Sequence, residues 1–254
     1  VGGELGRTLG PIVIVSALQV LRPQGTPWLM GAGFLMSVFL FILLKEVAGR
    51  PPSTAAALSW GDALRTLGPL LVPLVGIVIA RSFMVSALTT YLPTFLSEEG
   101  AGLFLAGASL SLLEGAGVVG ALLGGSLSDR LGRRSVLFTS LLATPLLMFA
   151  FLAADGWLRI PLLLLLGVSA LSIGPAIMAL VQESLPENPA LANGVYMALS
   201  FLLRSGVIVI IGAIGDRLGL RSAFSVSAVV PLRGLPFFFL LPGGGGRPAR
   251  ADAA

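Results

Sequence analysis

The sequence predicts an all-α polytopic membrane protein, a bundle of about eight transmembrane helices. Three observations carry this. Of 254 residues, 56% are hydrophobic and 11% charged, against roughly 25% charged in soluble domains, and the mean hydropathy is +0.97. The apolar residues gather into runs near the ~20 residues that a helix needs to cross a hydrocarbon layer about 30 Å thick. Runs such as 160–181 are apolar on every side and rich in Leu, Ala, Val and Gly, whereas a membrane β-barrel alternates polarity over strands of ~10 residues.

In chain order, apolar runs set against charged or Pro/Gly-rich breaks place spans at 5–21, 28–44, 67–92, 103–123, 136–154, 160–181, 191–214 and 223–241. The first ends at Arg22-Pro23 and the second at Lys45-Glu46. The third closes at Pro93, before Glu98-Glu99-Gly100. The fourth runs into Gly124-Gly125, the fifth into Asp155-Gly156 and the sixth into Gln182-Glu183. The seventh stops at Gly215-Asp216-Arg217, and the eighth at Pro242 with the glycines behind it. The longest break, 45–66, holds Lys45, Glu46, Arg50, Pro51, Pro52, Asp62 and Arg65 and divides the spans two plus six. It reads as a linker between helical bundles, with 59–67 able to form a short surface helix. Residues 243–254 read as a disordered tail.

Neither cysteine nor histidine occurs, so disulfides, thiol chemistry, His-ligated metals and His proton relays are excluded for this segment, and no metal or cofactor is expected. The pI near 10.6 comes from 16 basic residues spread over spans and short loops. They form no continuous patch, which argues against nucleic acid and for charge in cytoplasmic loops. The chain opens on Val1-Gly2-Gly3, and its first methionine, Met30, lies in an apolar run. It reads as truncated at the front, without a secretory signal peptide. With the first residues in the cytoplasm, Arg7, Lys45, Arg50, Arg65, Arg130, Arg133, Arg134, Arg247 and Arg250 share one side and Arg22, Arg159, Arg217 and Arg221 the other. The excess of positive charge then puts both ends in the cytoplasm.

The fourth span is followed by Gly125-Ser126-Leu127-Ser128-Asp129-Arg130-Leu131-Gly132-Arg133-Arg134-Ser135. The seventh is followed by Gly212-Ala213-Ile214-Gly215-Asp216-Arg217-Leu218-Gly219-Leu220-Arg221-Ser222. Seven of the eleven positions agree, 87 residues apart (216 − 129 = 87). Three spans separate the copies, which places them on opposite faces of the membrane, as an inverted three-plus-three repeat requires.

The first copy, with its G-x-x-x-D-R-x-G-R-R form, resembles the signature loop of the major facilitator superfamily. In that family the loop joins the second helix to the third and the eighth to the ninth, so the resemblance implies that the eight spans are helices five to twelve of an expected twelve. Residues 1–44 are then the last two helices of an N-terminal half, 45–66 the cytoplasmic central linker and 67–242 a six-helix C-terminal half. The first four helices would be absent partners. Ala80-Arg81-Ser82-Phe83, Tyr91-Leu92-Pro93-Thr94-Phe95-Leu96 and the stretch from Ala190 to Phe201 are similar to the fosmidomycin-resistance branch. That finer resemblance implies a multi-pass protein of the bacterial inner membrane that exports a small-molecule drug or metabolite in exchange for protons. Arg233, between Pro231 and Pro236, departs from the family pattern.

Ionisable groups at mid-membrane cost ~2.5–3.5 kcal/mol on insertion scales and so mark function or pairing. Arg81, Glu114, Arg204 and Arg233 lie near span centres, formally +2 together, which favours an anionic cargo. Tyr196, Ser200 and Arg204 fall four residues apart on one helix face. There a guanidinium flanked by hydroxyls suits a carboxylate, phosphate or phosphonate. The alternative is a structural pair between Arg204 and Glu114. Arg81 either binds the same anion or pairs with Glu114. Arg233 either lines the cavity or snorkels. Glu114, the one acid at mid-span, is the proton-coupling candidate. Gly125, Asp129, Arg130, Gly132, Arg133 and Arg134, with Asp216 and Arg217 of the second copy, read as a gating latch in which Asp129 pairs with arginines such as Arg133. Gly120, Ala121, Gly124 and Gly125 suit close helix approach, and Gly174-Pro175 suits a hinge. No nucleophile with a base stands at membrane depth, so an enzyme is not expected. A channel fits the repeated triplets less well than alternating access does. An uptake carrier for an organic anion and a non-transporting receptor or scaffold stay open.

Overall fold

A computed structural model describes residues 2–21, 23–44, 60–184 and 188–240. Within them the chain is helical with no strand. In order come α1 (Gly2–Leu21), a short 3-10 turn (Pro23–Trp28), α2 (Leu29–Leu44), α3 (Trp60–Ser86), a π-helical segment (Ala87–Tyr91), α4 (Leu92–Glu98), α5 (Leu103–Leu131), α6 (Arg133–Ala153), α7 (Arg159–Ser184), α8 (Pro189–Leu218) and α9 (Leu220–Phe239). Among the described residues six helical stretches are long and apolar enough to cross a membrane: Val72–Glu98, Leu103–Ser128, Arg133–Ala153, Gly156–Glu183, Pro189–Leu218 and Leu220–Phe239. The first two expected spans appear as shorter apolar helices, Gly6–Val20 and Met30–Leu43. Every described side chain of α2 from Met30 to Leu43 is exposed, as expected of a helix apolar all round whose neighbours are lipid or further protein.

Three boundaries differ from the sequence reading. Residues 60–66, assigned to the linker, are helical and continuous with the third span; 45–59 and 241–254 lie outside the described residues. The third span does not stop at Pro93 but continues through the π segment to Glu98. The signature stretch is not a loop. Residues 125–131 complete the last turns of α5, and Gly132 alone separates α5 from α6. Gly219 separates α8 from α9 in the same way. Both glycines take positive φ, 88° and 83°, a region that L side chains reach only with strain. The two copies of the repeat therefore share a backbone conformation as well as a sequence.

Close helix approach is built on α5, which carries a small-residue face toward each of two neighbours. Toward α1, Gly107 meets Val15, Gly115 meets Thr8, and Ser111 Oγ accepts the backbone N–H of Ile12 at 3.2 Å. Toward α7, a Cβ on Gly120 would strike the backbone of Val168, and one on Gly124 would stand 2.8 Å from the Ser172 carbonyl oxygen. A Cβ on Gly167 of α7 would in turn strike the Leu113 carbonyl. Backbones that touch give dense dispersion contacts, which must hold helices together where lipid tails are as apolar as leucine. Gly125, by contrast, has open space where a side chain would stand, so of the four small residues expected to pack, Gly120 and Gly124 do so and Gly125 does not.

The rest of the interior is apolar, centred on Phe95, Phe151, Phe224, Leu88, Leu166 and Ile211. Phe95 stacks on Phe224 with ring centroids 4.5 Å apart. A polar seam joins α6 to α7. Ser140 donates to the Ser169 carbonyl, and the Thr144 and Ser169 hydroxyls lie 2.7 Å apart.

Candidate functional site

Four of the residues singled out by sequence interact electrostatically across the bundle, Arg81 on α3 with Tyr196 and Arg204 on the packed helix α8, and Glu114 of α5 with Arg204. Arg204 also lies in electrostatic range of Arg7 on α1. Ser200 occupies the turn between Tyr196 and Arg204 on the same face of α8. The cluster holds three arginines and one glutamate, an excess of positive charge at membrane depth.

Its polar atoms are incompletely matched. Arg81 Nε and Ser200 Oγ are buried without a hydrogen-bond partner among the described residues, as are Ser86 Oγ and Asn193 Oδ1 elsewhere on the same two helices. Leaving such a group unpaired costs ~1–3 kcal/mol, more where it is charged. An anion in the cluster would satisfy both the spare guanidinium donors and the hydroxyls. The Arg81 side chain extends to α7, where its Nη2 would stand 3.3 Å from a Cβ on Gly174. Gly174 leaves room for the guanidinium, and Pro175 beside it lies inside α7, where it withholds one backbone donor. The predicted hinge thus touches the predicted binding arginine.

Arg7 changes its meaning in the structure. Thr8, Ile12 and Val15 lie beside Gly115, Ser111 and Gly107, so Arg7 is level with the middle of α5 rather than with a membrane edge. The charge tally that set the orientation loses one of its nine cytoplasmic members. Arg233 stands apart from the cluster. It is exposed and, with Val72, Gly76, Ala80, Gly234 and Phe237, lines an apolar groove of about 450 Å³ between α3 and α9.

The gating residues divide between the two ends of the bundle. At one end Arg133 forms an ion pair with Glu183 in the last turn of α7, a partner the sequence reading did not name. Arg134 beside it is half-buried, and Arg130 is exposed. The helical position of Asp129 is described, but its side chain is outside the described set. At the other end Asp216 and Arg217 are exposed, and the neighbouring Arg221 joins a larger cluster. Glu99, just beyond α4, accepts from Arg159 Nη2 at 2.5 Å and from Arg221 Nη1 at 2.7 Å. Arg159 also donates to the Ala154 carbonyl at 2.8 Å and Arg221 to the Leu152 carbonyl at 2.6 Å. Partial burial alone would raise the Glu99 carboxyl, but the hydrogen bonds and charges of Arg159 and Arg221 outweigh it and hold the group below its ordinary value. Because Arg133 pairs at the last turn of α7 and Glu99 at its first, the two repeat turns lie at opposite ends of that 26-residue helix.

Sequence reasoning missed two polar residues on the helices of the cluster and one at the end of the bundle. Asn193 precedes Tyr196 by three residues on the same face of α8, so extending the polar stripe one turn back finds it. Thr89 is uncharged and lies in an apolar run, so its residue type alone does not mark it. Pro93, four residues on, was the signal that the helix there is not regular. Glu99 carried no signal, since its partners lie 60 and 122 positions away. Among the described residues no group of three or more His, Cys, Asp or Glu side chains is placed to hold a metal.

The sequence model of the Major Facilitator Superfamily matches residues 1–207. The chain is 24% identical to the fosmidomycin resistance protein of Escherichia coli (strain K12), over 94% of this chain and 60% of that protein. It is 28% identical to the uncharacterized MFS-type transporter YfnC of Bacillus subtilis (strain 168), over 95% of this chain and 61% of that one. The chain therefore spans about 60% of the length of these curated relatives.

Proposed function

Since the chain belongs to the Major Facilitator Superfamily, we propose that the protein is a secondary active transporter that exports a small organic anion by alternating access, in exchange for protons. The observation that carries this reading is the cluster of Arg81, Tyr196, Ser200 and Arg204, with a buried guanidinium nitrogen and a buried hydroxyl both lacking partners. Two guanidiniums beside two hydroxyls offer donors and positive charge to the oxygens of a carboxylate or phosphonate. The Escherichia coli relative is named for resistance to fosmidomycin, which makes that drug the first cargo to test. Glu114, in range of Arg204, is the group whose charge would change as protons exchange for cargo.

The inverted-repeat reading is supported by Gly132 and Gly219, which turn the chain identically at opposite ends of α7. Asp129 and the ion pair of Arg133 with Glu183 then belong to a latch on the cytoplasmic face, and Glu99, Arg159 and Arg221 to a tie on the other. Such ion pairs break and reform when a transporter switches the face to which its site opens. In this reading α1 runs from its start on the cytoplasmic side of mid-membrane, and the end of the chain lies in the cytoplasm, at the bacterial inner membrane. The activity is that of the whole protein, beyond these residues alone.

The test is tolerance of fosmidomycin by a drug-sensitive bacterium that expresses the full-length protein. Wild type raises tolerance. Arg81→Ala and Arg204→Ala each remove at least ~90% of the increase, from the loss of a charge-assisted pair worth more than a factor of ten. Equal tolerance in the variants and wild type, at equal membrane abundance, rejects the reading.

A further inference from the structure

The third crossing is not one continuous α-helix. Pro93 has no N–H to offer the Thr89 carbonyl four residues back, and its ring presses on that carbonyl in a regular helix. The wider π turn at Ala87–Tyr91 carries the backbone past this defect. Two side chains of the turn reach α8. Thr89 Oγ1 donates to the Val85 carbonyl at 2.8 Å and accepts from Arg204 Nη2 at 2.8 Å. Tyr91 Oη donates to the Ile208 carbonyl at 2.9 Å, one turn beyond Arg204. Gly212, a further turn on, leaves the space for that phenol, since a Cβ there would lie 2.7 Å from Oη.

We propose that Thr89 is a positioning residue for Arg204, and that the π turn exists to present it. This rests on the reading of Arg204 as an anion ligand. The Thr89 hydroxyl cannot serve the anion directly, because its single proton is committed to Val85 and only lone pairs remain. Lone pairs repel an anion and attract a guanidinium. Holding one of the five N–H donors of the guanidinium fixes its plane and leaves the rest of the fork for bidentate capture of a carboxylate or phosphonate. An α-helix without the bulge would rotate Thr89 away from α8, since one residue fewer in the turn shifts every later side chain by about 100°. Tyr91 pins the turn to α8 at Ile208, so Arg204 and its holder move as one unit. By linkage, an anion that orders Arg204 also protects the turn.

The experiment uses the full-length protein in lipid nanodiscs, with methylphosphonate as probe. Thr89→Val keeps the shape of the side chain and deletes the oxygen, whereas Thr89→Ser keeps the oxygen. Binding of methylphosphonate is expected to weaken about tenfold or more in Thr89→Val, as for loss of a hydrogen bond to a charged group, and to stay within about twofold of wild type in Thr89→Ser. Amide hydrogen exchange over residues 87–92 is expected to quicken in Thr89→Val and Arg204→Gln even without probe, and to slow on probe binding in wild type. A merely structural threonine would not produce the probe-dependent protection. If Thr89→Val does not insert, Thr89→Ala replaces it with the same expected loss. Wild-type affinity in these variants overturns the proposal. If wild type itself binds no methylphosphonate, the anion reading of Arg204 fails. Exchange then decides the positioning role, and unchanged protection in both Thr89→Val and Arg204→Gln overturns it.

Discussion

At the residue scale, the glycines of the repeat divide into those the backbone demands and those it does not. Gly132 and Gly219 have open space around the missing side chain, yet φ of 88° and 83°. Gly125 has open space and ordinary helical backbone. Gly132→Ala and Gly219→Ala are expected to cost about 1–3 kcal/mol each, from forcing an L residue into a positive-φ, extended-ψ conformation that is essentially glycine's alone, whereas Gly125→Ala is expected to be near neutral. Thermal unfolding of the three purified variants in one detergent checks this, and equal melting points across all three would contradict it. The sequence made the recurrence of these glycines visible but not its cause, because a repeat shows that two positions are equivalent without saying which backbone they need. Arg204, Ser200 and Tyr196 were legible for the opposite reason. A spacing of four within a helix fixes a shared face with no knowledge of the neighbours. Asn193, one step further along that face, was open to the same logic.

At the element scale, the lesson lies in the third crossing and in what fastens its far end. That crossing runs past Pro93 to Glu98, and the helix that the sequence allowed near 59–67 is continuous with it from Trp60. Polar residues at 62 and 65 argued for a linker, and at Pro93 the π turn before it lets the helix run on where a regular one would break. Beyond α4, Glu99 ties the starts of α7 and α9 through Arg159 and Arg221. A carboxyl whose folded value is depressed contributes stability above its unfolded value and loses it as pH falls through the depressed one. Glu99→Gln is therefore expected to melt below wild type at pH 7, by roughly 2–4 °C for a loss near 1 kcal/mol, and to match it well below pH 4, once the wild-type group is protonated. A constant gap between the two proteins across that range would show that the charge of Glu99 does not hold the tie. Like the pairing of Arg133 with Glu183 at the opposite end, this contact joins residues far apart in sequence, and no local pattern announces such pairs.

At the scale of the whole molecule, hydropathy sufficed for the all-helical class and for six of the long spans, while the helix neighbours had to come from the structure. The placement of Arg7 at mid-bundle shows the limit of counting charges, since a residue near the start of a chain need not lie near the edge of a membrane. Topology can be checked with the chain as it is, because it contains no cysteine. Ser135→Cys and Ser222→Cys, equivalent positions in the two copies of the repeat, are expected to react with a membrane-impermeant maleimide from opposite sides, Ser222→Cys in intact cells and Ser135→Cys only in inverted vesicles. Labelling of both from one side would refute the inverted arrangement. The glycine seam between α5 and α7 bears on every such measurement. Where the backbones at Gly120 and Val168, and at Gly167 and Leu113, already touch, neither helix can slide or tilt against the other without collision. Along residues 113–124 of α5 and 167–172 of α7 the pair is a stiff spar that ends short of the Gly174-Pro175 bend, and spin or fluorescent labels placed along that stretch make a ruler against which the displacement of any other helix can be read.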